Sequence, residues 1–235
     1  MWLEALLWLR ALYMAEGSTI AKGSTKLIIF DWDGTLSDSV SRIVSCIQLA
    51  AADHQMPAPT FDQAKNIIGL GLREAIAQLF PDTEQTLVEE FALSYSAHYR
   101  SQDSNPCDFF PHVLDTLQLL RDQDYLLAVA TGKSRAGLDR VLRATGLGEL
   151  FHGSRCADET ASKPQPLMLE QLLQEFNLQP GQALMVGDTE FDMEMAANAA
   201  MPRLGVSYGA HHADRLQRYQ PIACIDHFAE IINLL

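Results

Sequence analysis

The segment KLIIFDWDGTLSDS, residues 26–39, decides the fold of this chain. Its apolar run Leu27–Phe30 predicts a short strand buried on both faces, because the run is continuous and bounded by charged and turn residues. Asp31 and Asp33 follow at once, so two carboxylates lie at the carboxyl end of this strand. Gly34 predicts a turn that brings the second carboxylate beside the first. Two neighbouring carboxylates repel each other unless a cation or a proton offsets their charge, although acidic turns without a function are also common.

The composition indicates a globular protein with an anionic surface. The 235 residues are 48% hydrophobic and 20% charged, which suits one large domain or a core with an inserted unit. A net charge of −13 disfavours nucleic acid and anionic membranes as partners. An anionic substrate remains compatible if a metal ion and basic residues converge locally. The four cysteines form no CxxC pair, so zinc and redox motifs are unsupported and a reduced, cytoplasmic protein is expected.

Residues 1–25 are predicted to be an N-terminal extension and linker. Residues 1–14 are mostly apolar, but they include Glu4 and Arg10 and fall short of the about 20 residues that a membrane helix needs. They also lack the basic start and the cleavage site of a secretory signal. Three interpretations remain: a helix docked on the body or on a partner, a weak membrane contact, or extra residues before a true start at Met14.

The segment after the first strand predicts helices only. Residues 39–108 show apolar residues at helical spacing, proline interruptions and no strand signal. Residues 101–108 are predicted to be the return linker. We therefore expect an inserted four-helix cap, whose helices begin near Val40 and cover residues 61–68, 72–80 and 83–100.

The remainder alternates between helix and strand. This alternation predicts an α/β fold, a Rossmann-like three-layer parallel-sheet core formed by residues 26–38 and 109–235. Ligands bind at the carboxyl ends of the strands in such sheets. The predicted later strands cover residues 125–130, 151–156, 183–186, 203–206 and 222–225, and the predicted helices cover 112–122, 134–144, 166–176, 191–200 and 228–234.

Candidate site residues follow several of these strands and are expected at the same edge of the sheet as the first two carboxylates. They are Thr131, Gly132, Lys163, Asp188 and Asp192. Each has a bland alternative as a helix cap or a solvated loop residue, but the full set predicts phosphoryl transfer. Carboxylate oxygens without Cys or His suit Mg²⁺ rather than zinc. One carboxylate can attack phosphorus, and a second can move the proton of the leaving oxygen.

These residues resemble the motifs of the haloacid dehalogenase-like hydrolase superfamily, in the helical-cap branch near the phosphoglycolate phosphatase-like members. The resemblance covers about residues 26–235. The first motif, DxDGT(L), is matched by residues 31–36, and the GDxxxD signature is matched by residues 187–192. Thr131 and Lys163 match the second-motif threonine and the third-motif lysine.

The resemblance implies a role for each acidic residue. Asp31 would be the nucleophile and a Mg²⁺ ligand. Asp33 would be the general acid/base and would offer its backbone carbonyl to the metal. Asp188 would bind the metal directly, and Asp192 directly or through water. Dehalogenases of this fold lack the second Asp, so its presence implies a phosphatase.

The resemblance also implies which residues bind the substrate phosphate. Thr131 and the amide of Gly132 would bind the transferring phosphoryl group, and Lys163 would neutralise its charge. In the cap, Arg73 could bind a carboxylate or a second phosphate of the substrate, or it could be a solvated arginine in a helix–helix turn. His211 and His212 lie in a late loop that could reach the site, although a solvated loop is the safer interpretation.

The sequence therefore predicts a Mg²⁺-dependent phosphatase acting on a small phosphorylated metabolite through a phosphoaspartate. Alternatives are a phosphomutase, a pyrophosphatase of the same fold, or a binding or regulatory module that has lost turnover. A monomer or a homodimer is expected.

Overall fold

A computed structural model describes residues 24–102 and 108–235. Its centre is a six-stranded parallel sheet in the order β3-β2-β1-β4-β5-β6. The interpretations of residues 1–14 lie outside the described residues. The strands are β1 Leu27–Phe30, β2 Leu126–Thr131, β3 Gly153–Cys156, β4 Ala183–Gly187, β5 Arg203–Val206 and β6 Cys224–Ile225.

Strand β1 occupies the middle of the sheet. Its four residues are completely buried, as a strand covered on both faces requires. Phe30, its last residue, pairs with Val129 of β2 and Val186 of β4. The loops that follow these three strands therefore leave the sheet at one edge.

Helices cover both faces of the sheet and form two apolar clusters. Ile28 and Phe30 pack on the side of α5 and α6, and Leu27 and Ile29 pack on the side of α7 and α8. Alternate residues of β1 thus face opposite layers, which confirms the three-layer core. The helices of this core are α5 Val113–Asp122, α6 Arg135–Thr145, α7 Leu167–Phe176, α8 Glu190–Asn198 and α9 Ala213–Gln217, with three short 3₁₀ turns at Leu147–Glu149, Pro180–Gln182 and Phe228–Asn233.

Four helices between β1 and α5 form the predicted helical cap. They share an apolar cluster of their own, in which Ile47, Ile76 and Phe91 are nearly or fully buried. The cap bounds at residues 39 and 108 remain a prediction. The cap helices are α1 Val40–Asp53, α2 Phe61–Lys65, α3 Leu72–Leu79 and α4 Gln85–Ser101.

Several predicted elements differ in length from those observed. Helix α2 ends at Lys65 rather than at residue 68, because the amides of Ile67 and Ile68 bond to carbonyls three residues back and tighten the chain into turns. Ser101, placed in the return linker, is the last residue of α4. Most of that linker, residues 103–107, lies outside the described residues.

Two later elements also differ. Helix α9 was not predicted, because its five residues bury only Leu216 and show no apolar period. Strand β6 contains two of the four predicted residues, since only Cys224 and Ile225 pair with β5. Within residues 24–102 and 108–235, every helix is too short or too polar to reach across a bilayer.

Candidate active site

The first predicted site residue, Asp31, follows the central strand directly. Its amide donates to the carbonyl of Val186 at 2.9 Å, which extends the sheet by one residue. The side chain is 1% exposed. The chain then turns at Gly34, where φ is +83° and a Cβ would lie 2.2 Å from Asp188 Oδ2. Only glycine fits this turn, which brings the β1 and β4 loops together.

Lys163 links two of the predicted carboxylates. Its Nζ lies 2.8 Å from Asp31 Oδ1 and 2.6 Å from Asp192 Oδ1, and all three side chains are buried. Burial lowers the pKa of Lys163, but attraction to Asp192 and Asp31 outweighs it, so the pKa lies above its usual value. The ammonium therefore stays charged at neutral pH.

Asp188 follows β4 and is fully buried. Its Oδ1 accepts a hydrogen bond from Thr35 Oγ1 at 2.7 Å, and its Oδ2 accepts one from the amide of Ala210 at 2.6 Å. Burial, reinforced by the charge of Asp192, raises the pKa of Asp188 to about 7. This carboxylate is thus oriented by two loops that are far apart in the sequence.

Asp192 lies in the first turn of α8, which follows the Asp188 loop. Its Oδ2 accepts hydrogen bonds from the amide and the hydroxyl of Thr189, at 3.0 and 2.6 Å. Thr189 Oγ1 in turn accepts from the amide of Asp192, which completes a capping box. Because the cap uses only Oδ2, the other oxygen of Asp192, Oδ1, accepts a hydrogen bond from Lys163 Nζ.

Three buried carboxylates lie close together here, and the Lys163 ammonium pairs with two of them. Asp31, Asp188 and Asp192 each offer an oxygen, and these oxygens lie within 4.8 Å of one another. Asp31 Oδ2 has no hydrogen-bond partner among the described residues. Burial raises the pKa of Asp31 well above its usual value, and Asp192 and Asp188 raise it further, while Lys163 lowers it only in part. The excess negative charge and the all-oxygen donor set fit a hard divalent cation such as Mg²⁺.

Asp33 lies beside this group but not within it. Its Oδ1 accepts a hydrogen bond from Ser39 Oγ at 2.6 Å, and its Oδ2 lies 3.0 Å from Lys133 Nζ. Lys133 also contacts Tyr99 of the cap, at 3.3 Å from the hydroxyl and 4.7 Å from the ring centroid. Asp33 is therefore held between the core and the cap. Metal binding by its backbone carbonyl remains a prediction.

Lys133 was missed at the sequence level. The available signal was its place two residues after Thr131, at the same strand end as the predicted residues. Its partner Tyr99 lies on a helix of the cap, and periodicity alone does not bring that helix to the β2 loop.

Thr131 and Gly132 lie where β2 ends. Thr131 is fully buried and its Oγ1 accepts from the amide of Lys133 at 3.2 Å. A Cβ on Gly132 would lie 2.3 Å from the carbonyl oxygen of Leu70, so the missing side chain lets the cap backbone approach. Thr131 and Gly132 line one cavity together with Asp31 and Asp33. The structure thus brings together all the predicted strand-end residues.

Arg73 is not brought to this cavity. Its Nε lies 2.7 Å from Glu89 Oε1, and both side chains are largely exposed on neighbouring cap helices. Leu72 does line the cavity, whereas Arg73 is absent from its lining. The structure therefore does not support the prediction that Arg73 binds substrate, because an exposed glutamate on α4 already binds its guanidinium.

His211 is not in a solvated loop, although His212 is exposed. His211 is 2% exposed, and its Nδ1 accepts from the amide of Glu190 at 3.1 Å. The proton of the neutral ring is therefore on Nε2, which donates to the carbonyl of Asn66 in the cap at 3.2 Å. Burial, with the charge of Arg215, lowers the pKa of His211 to about 4. This histidine joins the core to the cap as a neutral ring.

The fold and site define a parallel-sheet α/β protein with a buried carboxylate cluster beneath a helical cap. The family model of the haloacid dehalogenase-like hydrolases matches residues 28–206. The chain belongs to this family of hydrolases.

Individual relatives and structures agree with this assignment. The probable phosphatase IndB of Dickeya dadantii is 37% identical and aligns over 88% of this chain and 92% of its own length. A phosphoglycolate phosphatase of Aliivibrio fischeri is 32% identical over 89% of this chain and 96% of its own. The crystal structure of a predicted phosphoglycolate phosphatase from Haemophilus somnus has a TM-score of 0.82 at 27% identity and covers 91% of this chain and 99% of its own.

Proposed function

We propose that this hydrolase is a Mg²⁺-dependent phosphatase that cleaves a small phosphoric monoester through a phosphoaspartate at Asp31. One observation carries the proposal: Asp31, buried at a strand end, keeps Oδ2 without a hydrogen-bond partner among the described residues, while Lys163 binds its other oxygen. Asp33 and Thr131 line the same cavity. The names of the relatives in Dickeya and Aliivibrio support phosphatase chemistry.

In the first step, Asp31 Oδ attacks phosphorus and the bond between phosphorus and the leaving oxygen breaks. Asp33 donates its proton to that oxygen, which departs as the alcohol. Thr131 Oγ1 and the amide of Gly132 bind the phosphoryl oxygens, and Lys163 offsets the negative charge. The products of this step are the alcohol and a phosphorylated Asp31.

In the second step, water attacks the phosphorus of the phosphoaspartate. Asp33, now ionised, takes a proton from that water, and the bond between phosphorus and Asp31 Oδ breaks. Inorganic phosphate leaves, Asp31 recovers its carboxylate and Asp33 recovers its proton. The contact with Lys133 Nζ and the hydrogen bond from Ser39 hold the Asp33 side chain in place, and Lys133 pairs with the carboxylate that forms after the first transfer.

Asp31, Asp188 and Asp192 would hold Mg²⁺, with the Asp33 carbonyl as a further ligand. When bound, the ion neutralises the excess charge of the cluster and polarises the phosphoryl group. We further propose that the substrate is a small phosphorylated metabolite. The protein would be cytoplasmic and either a monomer or a homodimer.

The test is phosphate release from p-nitrophenyl phosphate by the wild-type protein and by Asp31→Asn. We expect Asp31→Asn to lose at least about 10³-fold in kcat, because an amide cannot form the acyl phosphate. EDTA should abolish wild-type turnover, and Mg²⁺ should restore it.

Asp115→Asn, at an exposed position on α5, is the matched control and should remain active. Undiminished phosphate release by Asp31→Asn would refute the proposal. Steady release of inorganic phosphate separates a phosphatase from a phosphomutase, and absence of any release would favour a binding module.

A further inference from the structure

The cavity above Asp31 is shared by the core and the cap and has a volume of about 180 Å³. Its floor is formed by the strand-end residues, which hold the phosphoryl group in the proposed function. Its opposite wall belongs to the cap and determines what the rest of the substrate can contact.

The cap wall formed by α1, the turn after α2 and the start of α3 is aliphatic. Ile43 and Ile47 come from successive turns of α1, Ile68 from the turn, and Leu72 from the first position of α3. The lining residues from these three segments include no charged side chain. Ile43, Ile47 and Ile68 are at most 7% exposed, so each presents a small apolar patch to the cavity, whereas Leu72 is half-buried and presents more.

Two tyrosines of α4 continue this wall. Tyr95 and Tyr99 are one helical turn apart, with ring centroids 6.0 Å apart. Burial raises the pKa of Tyr95 well above its usual value, so the hydroxyl remains a neutral donor. The aromatic part of the wall thus adds flat apolar surface and one polar group.

Three cations also line the cavity, outside the aliphatic segments: Lys133, Arg100 and Arg140. Lys133 is engaged with Asp33 and Tyr99. Arg100 is exposed at the end of α4, and Arg140 lies on α6 of the core. A leaving group as small as glycolate, with phosphorus at Asp31, carries little apolar surface to bury against the aliphatic wall.

We infer that the preferred substrate, given the phosphatase function proposed above, is the phosphate ester of an alcohol with an apolar portion larger than glycolate. This portion packs against Ile43, Ile47, Ile68 and Leu72 when the phosphoryl group lies at Asp31. The aliphatic wall then selects substrates by the apolar surface that they bury, and phosphoglycolate is a poor substrate.

The experiment compares kcat/KM for n-alkyl phosphates of increasing length, from ethyl to hexyl, with that for 2-phosphoglycolate. The alkyl series keeps the leaving-group chemistry nearly constant, so its slope reports contact with the wall. Because one methylene in an apolar pocket changes kcat/KM by roughly tenfold or more, we expect a steep rise along the series. We expect 2-phosphoglycolate to fall below the butyl and hexyl esters.

Ile47→Asn should flatten this slope, because it places an amide in the wall. Should this variant fail to fold, as judged by its thermal melt, Ile43→Ala replaces it and should reduce the slope by removing contact surface. Leu93→Asn, 70% exposed on α4, and Arg73→Ala are the controls and should keep the wild-type slope.

A flat series, or a highest kcat/KM for 2-phosphoglycolate, would overturn the inference and leave the phosphatase function intact. Failure to release phosphate from any ester, including p-nitrophenyl phosphate, would instead defeat the proposed function itself.

Discussion

The two ends of the active-site cavity are built by different interactions. At the sheet end, loops from distant parts of the chain meet through hydrogen bonds and ion pairs of 2.6–3.0 Å, such as those from Lys163 to Asp31 and Asp192 and from Thr35 to Asp188. At the cap end, Ile43, Ile47 and their neighbours meet through apolar contacts. Directional bonds fix the positions of the side chains that react, whereas apolar contacts fix only the shape of a surface.

This difference separates chemistry from selectivity within one cavity. Displacing a carboxylate at the sheet end removes a group that attacks phosphorus or holds charge. Changing an aliphatic side chain at the cap end alters which leaving groups bind well and leaves the reacting groups in place. Substitutions at the sheet end should therefore affect turnover and stability together, as in one electrostatic unit.

Among changes to the residues that surround the nucleophile Asp31, the largest effect is expected from Lys163→Met. This change removes the ammonium that pairs with Asp31 and Asp192, and removal of one partner from a buried ion pair costs about 3–5 kcal/mol. We expect kcat to fall at least about 100-fold, since a charge that stabilises the transferring phosphoryl group is lost. Steady-state kinetics and thermal melts with and without Mg²⁺ provide the measurement.

Lys65→Met, on the short cap helix α2, is the matched control and should retain near-wild-type activity. A Lys163→Met variant as active as the control would show that this lysine has no electrostatic role.

A smaller effect, on stability, is expected from Asp188→Asn in EDTA. The folded-state pKa of Asp188 is raised to about 7, so the native state keeps a proton that the unfolded state loses near pH 4. Because the native state binds more protons in this range, wild-type stability falls as the pH rises from about 4 to 7. The asparagine does not ionise and avoids this loss.

The advantage of Asp188→Asn should therefore grow by about 2 kcal/mol between pH 5.5 and pH 8, or several degrees in Tm. Melting curves of both proteins at the two pH values test this. A difference in Tm that does not change with pH would mean that Asp188 is not destabilised by its charge. Mg²⁺ should remove the advantage by stabilising the ionised wild-type cluster.

The smallest effect is expected from Lys133→Met, which breaks the contact between Asp33 and the cap at Tyr99. Lys133 is a positioning residue, so we expect kcat to fall by about tenfold, equivalent to ~1.4 kcal/mol, with little change in KM. Lys133→Arg should recover part of the lost kcat because it restores the positive charge. Equal kcat values for the methionine and arginine variants would argue that the charge beside Asp33 is unimportant.

The strand-end residues could be predicted because each directly follows an apolar run or a short loop after one. Asp31 and Asp188 were found in this way. They directly follow the adjacent strands β1 and β4, and the structure brings their carboxylates together at one edge of the sheet. The residues that orient them were not predicted. Thr35 and Ala210 hold Asp188, yet they are separated in sequence from it and have no periodic signal.

Predictions that depended on the packing of the cap were less successful. Arg73 was considered for the substrate because a guanidinium can bind a carboxylate or a phosphate, but its contact with Glu89 depends on how α3 lies against α4. His211 was expected in solvent and is instead buried between Glu190 and Asn66. Both outcomes depend on contacts between elements that local patterns do not encode.

The amino-acid sequence by itself determined the parallel α/β core, the inserted helices and the rim of carboxylates, threonine and lysine. Apolar runs and their terminating residues are local, and parallel strands bring their carboxyl ends to one edge. Only the tertiary structure decided which part of the apolar face of α1 lines the cavity, and which lysine holds Asp33. Helical spacing identifies an apolar face, but the packing of neighbouring helices decides how much of that face remains open to a ligand.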